Sequence, residues 1–314
     1  WPEVARSLGV PEEELRRRCR EMAYRLYQVR AKRVWPGRDE KILTAWNGLM
    51  IAAFAQAGAA FDEPRYISAA VRATEFVLTN LRRPDGRLFR TTAVGSAPKL
   101  DAYLEDYAYL IESLTRLYEA TFEAKWIDAA VGLADIMVRD FHDEANGGFF
   151  YTAIGHEPLI TRTKDSHDGS TPSGNSMAAT ALLRLSAFTG RHDLRDLGET
   201  TLQAFAGLMA EAPAAAGQML IALDFDLGPT KEIAVIGKFG GEVVRRVLGA
   251  IRCRFLPNVI VAAHDPGSGP PPASIPLLHD RPALGDVTTY VCENFTCQQP
   301  LVGADASVRA VESL

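Results

Sequence analysis

Few features of this sequence of 314 residues point to a membrane or to nucleic acid. The longest weakly polar stretch, residues 48–61, is interrupted by Gln56 and is too short to span a bilayer. The formal net charge of −5 and the pI of about 5.8 give no general attraction for anionic partners. Because the start, from Trp1, also lacks the apolar core of a signal peptide, we expect a cytoplasmic protein that binds neither.

Cysteine is scarce as well. Four cysteines are too few for a disulfide scaffold of this size, which favours a reducing compartment. Cys292 and Cys297 are close enough in sequence for a disulfide, a redox pair or half of a zinc site, and the residues alone leave these open. Because Cys19 and Cys253 are isolated and cannot complete a zinc site, we predict buried free thiols, with no metal and no cofactor.

A local basic run at residues 16–20 stands out against the acidic average. Glutamates flank it on both sides, at residues 12–14 and at Glu21. Spacings of three and four residues between opposite charges predict a solvated helix face carrying ion pairs.

Because the chain does not begin with Met, we also expect it to be a fragment of a longer protein.

Apolar periodicity predicts a series of helical hairpins. Three helices are apolar nearly all round, as inner helices would be: residues 43–61, 104–122 and 173–190. Each precedes an amphipathic helix, predicted at residues 65–82, 125–141 and 193–211. The pairs repeat after about sixty residues, since DGRLFRT (85–91) returns as NGGFFYT (146–152), a turn followed by a short alternating strand.

This pattern predicts a mostly α fold, an α/α toroid of helical hairpins with short β excursions. An open solenoid is the alternative, but apolar inner helices favour closure. We assign residues 1–212 to the hairpins and residues 213–314 to degenerate last hairpins with short strands in the same domain. A βαβ pattern at residues 232–263 lacks the glycine-rich loop that phosphate binding requires.

Acidic side chains recur at the starts of the predicted inner helices. They are Asp39 with Glu40, Glu105 with Asp106, and Asp165 with Asp168. Trp35, Trp46, Tyr103, Tyr107 and His167 accompany them. In a toroid these helix ends meet at one mouth, where acids and aromatic platforms are what sugar chemistry requires. Acids at helix starts are also common as simple caps, which is the structural alternative.

Other residues at this mouth allow two interpretations. Trp46 could form the floor of a pocket and Asn47 could bind a hydroxyl, or Trp46 could fill the core while Gly48 allows close helix packing. Ser173 is the expected N-cap of the third inner helix. His167 is either a proton-transfer group or polar lining.

Four motifs carry a family resemblance. They are DEKILTAWNGLM (39–50), LEDYAYL (104–110), DGSTPSGNSMAA (168–179) and TTYVCENFTCQQP (288–300). In these motifs, and from about Val4 to the end, the chain resembles the C-terminal part of the spermatogenesis-associated thioredoxin-like proteins. Members of that thioredoxin-domain-fused family carry an N-terminal thioredoxin-like domain before a toroid similar to six-hairpin glycosidases and N-acylglucosamine 2-epimerases.

Compared with that family, this sequence lacks the thioredoxin-like domain and the first barrel hairpins, so we expect either an incomplete ring or a partner that fills the gap. The resemblance implies a cleft lined by Asp39, Lys41, Trp46, Asn47, Glu105, Asp106, Tyr107, Asp168, Ser173 and Asn175. It also implies that Cys292 and Cys297 are redox-linked to the thioredoxin-like domain in intact relatives.

We therefore predict a carbohydrate-active domain, hydrolase-like or epimerase-like, that acts on a small-molecule sugar. Glu105, Asp106 and Asp168 are the predicted catalytic acids and bases, and His167 joins the cleft residues in substrate binding. One alternative is a non-catalytic scaffold or client-binding domain that works with a thioredoxin-like domain. The other is an inactive truncated remnant.

Overall fold

The structure, a computed structural model, describes residues 1–157, 160–293 and 296–314. The chain forms two compact units, Trp1–Glu40 and Lys41–Leu314. Residues after Pro213 therefore lie in the same unit as the helical hairpins. None of the helices in the described part of the chain is both long and apolar enough to cross a membrane.

The described residues form twelve α-helices and eight β-strands. The helices are α1 Pro2–Ser7, α2 Glu12–Arg30, α3 Thr44–Ala60, α4 Pro64–Asn80, α5 Leu104–Thr121, α6 Lys125–Phe141, α7 Gly174–Thr189, α8 His192–Ala204, α9 Ala206–Glu211, α10 Gly217–Leu227, α11 Glu242–Arg252 and α12 Ala304–Glu312. The strands are β1 Lys41–Leu43, β2 Phe89–Ala93, β3 Lys99–Asp101, β4 Lys231–Gly237, β5 Val259–His264, β6 Val287–Glu293, β7 Thr296–Cys297 and β8 Leu301–Val302.

In the Trp1–Glu40 unit, α2 carries the basic run on an exposed, ion-paired face, as predicted. Arg16 pairs with Glu12 at 2.6 Å, and Arg18 pairs with Glu14 at 2.6 Å. Arg17 reaches Glu14 at 2.8 Å on the same face. Because these pairs are exposed, each contributes only about 0.3–0.5 kcal/mol to helix stability.

The Lys41–Leu314 unit is the predicted α/α toroid of helical hairpins with short strands. The inner helices α3, α5, α7 and α10 pack side by side in that order, and α4, α6 and α8 pack on the outside. Helix α5 is buried along nearly its whole length, as is α7. Apolar residues on all sides of these two helices are what allow a position with neighbours all round.

The sixty-residue repeat is visible in the backbone. Isolated bridges join Arg82 to Leu88 in the first turn and His142 to Phe149 in the second. The glycines of the two turns, Gly86 and Gly147, both have positive φ, at 88° and 69°. The repeat therefore places the two turns in the same structural setting, between an outer helix and the next inner helix.

Two sequence-based predictions are wrong, one in the second turn and one in a later outer helix. Residues 146–152 form no strand, only the single bridge at Phe149, whereas the first turn continues into β2, which pairs with β1 and β3. The helix predicted at residues 193–211 is broken at Phe205, between α8 and α9. The Phe205 ring lies against Gly148, where an added Cβ would come within 3.1 Å of it, and this long-range contact accompanies the break.

A mixed sheet forms the C-terminal part of the unit. Its order is β5-β4-β6-β7, with β8 also paired to β6. Strands β4 and β5 are parallel and connected through α11, as the βαβ pattern predicted, whereas β6 runs antiparallel to β4. Residues of this sheet, Ile260 and Tyr290 among them, share one hydrophobic core with the helical layer.

Candidate functional site

The N-terminal ends of the inner helices lie together, linked by hydrogen bonds. The Ala45 N–H at the start of α3 donates to Asp106 of α5 at 2.9 Å. The Tyr109 hydroxyl of α5 donates to the Pro172 carbonyl before α7. Asp168 links α7 to α10, because its Oδ2 accepts from the Gln218 N–H at 2.7 Å. The predicted acids on α5 and before α7 therefore meet at one end of the unit.

Asp106 has no exposed surface. Its two oxygens accept from the backbone N–H groups of Ala45 and Tyr103, both at 2.9 Å, and Arg90 Nη1 lies 3.4 Å from Oδ2. Burial raises the pKa of Asp106 to about 7, against the opposing effect of these donors. A carboxyl enclosed in this way links the starts of α3 and α5 and presents no surface to solvent.

Tyr107 and Asn175 were both predicted to bind substrate. Both are buried, and each accepts a hydrogen bond from a backbone N–H of one of the repeated turns. The Leu88 N–H donates to the Tyr107 hydroxyl at 2.9 Å, and the Phe149 N–H donates to Asn175 Oδ1 at 2.7 Å. Leu88 and Phe149 are the residues that form the isolated bridge in each turn. Helices α5 and α7 thus each supply one polar side chain to a buried N–H at the same place in the repeat.

Asp168 and Ser173 form the cap of α7. The Ser173 hydroxyl accepts from the Ser176 N–H, as the predicted N-cap. Asp168 Oδ1 accepts from the Ser173 N–H at 2.8 Å, while its Oδ2 bonds to the start of α10. Both carboxylate oxygens of Asp168 are therefore used by the backbone.

Glu105, Asp165 and Asp168 are the partly exposed acids of this end. Burial, together with nearby carboxylates, raises the pKa of Tyr109 to about 12. Those carboxylates belong to Glu105, Asp165 and Asp168, so all three acids act electrostatically on one hydroxyl. Glu105 pairs with Arg90 at 2.9 Å. The Asp165 carboxylate makes no hydrogen bond or ion pair within the residues that the structure describes.

Aromatic rings line the same end. Tyr103 stacks on Tyr151 with ring centroids 4.7 Å apart, and the Arg90 guanidinium lies 4.6 Å from the Tyr103 centroid. His156 meets Tyr103 edge-on at 5.3 Å. Arg90 and Tyr151 occupy corresponding places in the two repeated turns, DGRLFRT and NGGFFYT.

Three residues at this end were not predicted from the sequence: Arg90, Tyr151 and His156. The repeat was the signal that could have found the first two, because both follow the repeated Phe directly. His156 has no comparable signal in the sequence.

Trp46 does not fill the core, because 63% of it is exposed. It lies one residue beyond the Ala45–Asp106 hydrogen bond, on the solvent side of α3. Asn47 is half-buried and donates to the Leu43 carbonyl at 2.8 Å. Gly48 does allow close packing, since an added Cβ would lie 2.9 Å from the Tyr109 backbone.

The remaining predicted cleft residues are exposed. Lys41 begins β1, and His167 contacts Ser166 Oγ through its Nδ1 at 3.4 Å. Asp39 belongs to the Trp1–Glu40 unit, whereas the other predicted cleft residues belong to the Lys41–Leu314 unit.

The cysteines differ from the prediction of buried free thiols. Cys292 and Cys297 form a disulfide between β6 and β7, and Asn294 and Phe295 of the same motif lie outside the described residues. The free cysteines are not buried either, since Cys19 is partly exposed and Cys253 is exposed. Within the described ranges, His, Cys, Asp and Glu form no cluster of three or more that could hold a metal ion.

A cavity of about 720 Å³ lies at the opposite ends of the inner helices. Its walls are largely apolar and include Ala59 of α3, Leu220 of α10 and Leu248 of α11, with Arg116 and Glu119 of α5 as charged members. None of the predicted site residues lines this cavity.

Comparison with known proteins identifies curated relatives. Spermatogenesis-associated protein 20 from Homo sapiens is 34% identical over 310 residues, which cover 95% of this chain and 39% of the relative. The Mus musculus protein of the same name is 32% identical over 311 residues, again 95% of this chain and 39% of the relative. The chain thus spans about two fifths of the length of these relatives. No protein-family model matches it.

Among solved structures, a GH76 alpha-mannanase from Bacteroides thetaiotaomicron matches with a TM-score of 0.51 at 16% identity, over 60% of this chain and 53% of the mannanase. A cellobiose 2-epimerase from Spirochaeta thermophila matches with a TM-score of 0.45 at 17% identity, over 55% and 46% of the two chains. The mannanase match shows the fold. The chain is therefore similar to part of spermatogenesis-associated protein 20, and it shares its α/α toroid fold with the mannanase.

Proposed function

We propose that the Lys41–Leu314 unit binds a carbohydrate at the N-terminal ends of its inner helices and acts on it as a hydrolase or epimerase. The observation that carries this proposal is that Glu105 and Asp165 are both partly exposed at the end where hydrogen bonds link α5 to the segment before α7, and that both act electrostatically on the Tyr109 hydroxyl. The exposed ring of Trp46 provides a platform on the adjoining helix. The fold shared with an alpha-mannanase supports a sugar as the ligand.

Glu105 and Asp165 are the acids that we assign to the chemistry. Hydrolysis of a glycosidic bond needs one carboxyl to protonate the leaving oxygen and another to activate water or attack the sugar. Both groups must touch the ligand, and Asp106 has no exposed surface with which to do so. Both carboxylate oxygens of Asp168 already accept hydrogen bonds from backbone N–H groups. We therefore assign Asp106 and Asp168 to positioning the helix ends.

Removal of the Trp46 ring tests the binding site. We expect calorimetric titration with mono- and disaccharides to reveal a ligand for the wild-type chain. Trp46→Ala should weaken that binding about tenfold, ~1.4 kcal/mol, because the exposed ring supplies the stacking surface. Phe61→Ala is the matched control, since Phe61 is 75% exposed just beyond the other end of the same helix. Equal weakening by both variants would refute the location of the site.

Substitution of the acids separates chemistry from structure. Glu105→Gln and Asp165→Asn should abolish sugar turnover, measured as product formation, and leave the melting temperature close to that of the wild type. Asp168→Asn should lower the melting temperature, because it removes about 1 kcal/mol or more of capping at α7 and α10. Full turnover in both Glu105→Gln and Asp165→Asn would contradict the assignment.

A non-catalytic scaffold is the second candidate. Trp46 and Met50 expose apolar surface one helical turn apart on α3, which also suits a partner helix. In that case no sugar would bind, and Trp46→Ala would weaken association with the partner. The same titrations therefore distinguish the two functions.

A further inference from the structure

The Cys292–Cys297 disulfide lies apart from the proposed sugar site, at the end of the mixed sheet. The two residues face each other across β6 and β7. Cys292 is buried, with 1% of its surface exposed, whereas Cys297 is exposed. An external thiol can therefore approach Cys297 Sγ, whereas Cys292 Sγ is shielded from it.

The guanidinium group of Arg281 contacts both sulfurs. Its Nη2 lies 2.9 Å from Cys297 Sγ and 3.3 Å from Cys292 Sγ, while Nη1 donates to the His279 carbonyl at 2.9 Å. Arg281 Nε is buried and has no hydrogen-bond partner in the described part of the chain. A disulfide sulfur is a weak acceptor, whereas a thiolate is a full negative charge. The arginine is thus placed to stabilise the reduced pair more than the oxidised pair.

Other charged groups surround this arginine. Glu232 is buried on β4 directly opposite Cys292, and Asp280 and Tyr290 also act on Arg281. Lys231 and Glu293 form an ion pair at 2.5 Å on the neighbouring strand ends. Because Glu232 and Asp280 disfavour a further negative charge, a thiolate formed here depends on Arg281.

We propose that Cys292–Cys297 is an exchangeable disulfide that accepts two electrons from an external dithiol, with Cys297 as the attacked sulfur. One thiolate of the dithiol attacks Cys297 Sγ and forms a mixed disulfide, and the S–S bond to Cys292 breaks. Cys292 leaves as a thiolate beside Arg281. The second thiolate of the dithiol then attacks the dithiol sulfur that is bonded to Cys297, and Cys297 is released as a thiolate. The dithiol becomes a disulfide, and the two protein sulfurs take up its protons.

Alkylation of the reduced chain tests the role of Arg281. After reduction with dithiothreitol and its removal, iodoacetamide should modify Cys297 faster than Cys253, which is the exposed internal reference. Arg281→Met should slow the reaction of Cys297 about tenfold, because fewer molecules carry the thiolate. Arg281→Lys keeps the charge and should restore the rate to within about threefold. Circular dichroism melting shows whether each variant is folded.

Single cysteine variants test which sulfur is attacked. Cys292→Ser should form a mixed disulfide with oxidised glutathione at Cys297, whereas Cys297→Ser, which keeps only the buried sulfur, should not. Peptide mass spectrometry locates each adduct and so separates it from adducts at the free Cys19 and Cys253. The proposal is overturned if Cys292 in one variant traps glutathione as readily as Cys297 in the other, if Arg281→Met alkylates at the wild-type rate, or if dithiothreitol reduces the pair only when the protein unfolds. Trp46→Ala should leave all these rates unchanged, which separates this site from the sugar site.

Discussion

At the scale of single residues, Asp106 couples the helix ends to pH. Its carboxyl is enclosed by two backbone N–H donors and Arg90, yet burial keeps its pKa near 7. An acid whose pKa is raised by folding binds its proton more tightly in the folded state than in the unfolded chain. Its contribution to stability is therefore most favourable at low pH and is lost as the pH rises through about 7.

We predict that the stability of the wild type relative to Asp106→Asn depends on pH. Between about pH 4 and pH 7 the difference should change by ~1.4 kcal/mol per pH unit, in favour of the wild type as the pH falls. Urea denaturation of both proteins at several pH values measures it. Asp128→Asn, on an exposed position of α6, controls for the loss of one carboxylate. A difference that stays constant from pH 4 to pH 8 would refute the raised pKa.

At the scale of elements, the close contact of α3 and α5 depends on a glycine. A Cβ at Gly48 would lie 2.9 Å from the Tyr109 carbonyl carbon and 3.0 Å from the Leu110 nitrogen, and neither backbone atom can move aside easily. The two helices would have to separate where Asp106 and Tyr109 anchor their ends.

Gly48→Ala should therefore destabilise the protein by about 1–3 kcal/mol. Gly249→Ala is the matched control within α11, because open space surrounds that position. There the substitution should stabilise the helix by about 0.5–1 kcal/mol, since alanine is the better helix former. Thermal unfolding monitored by circular dichroism compares them. The same sign of effect in both variants would mean that the contact does not limit the packing.

Helices were the elements that local pattern could predict. Helix α6 begins and ends where its periodicity does, and α5 lies within one residue of its predicted bounds. The break at Phe205 could not be predicted, because its ring packs on Gly148, far away in the sequence. The exposure of Trp46 was equally hidden, since a helix that is apolar all round gives no sign of which side lacks a neighbour. The spacing of the acids predicted that they lie at the helix ends. It could not predict which of their carboxylate oxygens accept hydrogen bonds from backbone N–H groups.

At the scale of the whole unit, Glu119 joins the helical layer to the mixed sheet. Its carboxylate pairs with the buried Arg184 of α7 at 2.8 Å and accepts from the Val261 N–H of β5 at 3.2 Å. Its own carbonyl accepts from Arg252 of α11 at 3.1 Å. The Glu119 side chain thus contacts both the inner helix α7 and strand β5. The Glu119 carbonyl also binds α11, the helix that connects β4 to β5.

Glu119→Gln should destabilise the unit by about 3 kcal/mol, because Arg184 would keep a buried charge with a weaker partner. Glu123→Gln, which removes an exposed carboxylate near the end of the same hairpin, should cost less than about 1 kcal/mol. Urea denaturation gives both values, and hydrogen exchange should show faster opening of β5 in Glu119→Gln. Unchanged protection of Val261 would contradict a joining role.

The repeated turns suggest how such a mouth changes over evolution. Both turns keep the same bridge and the same buried N–H, which Tyr107 satisfies in one and Asn175 in the other. Two residues after that N–H, the first turn carries Arg90 and the second Tyr151. A lineage can therefore exchange a cation for an aromatic ring at this point by one substitution, while the scaffold that holds the turn is inherited intact.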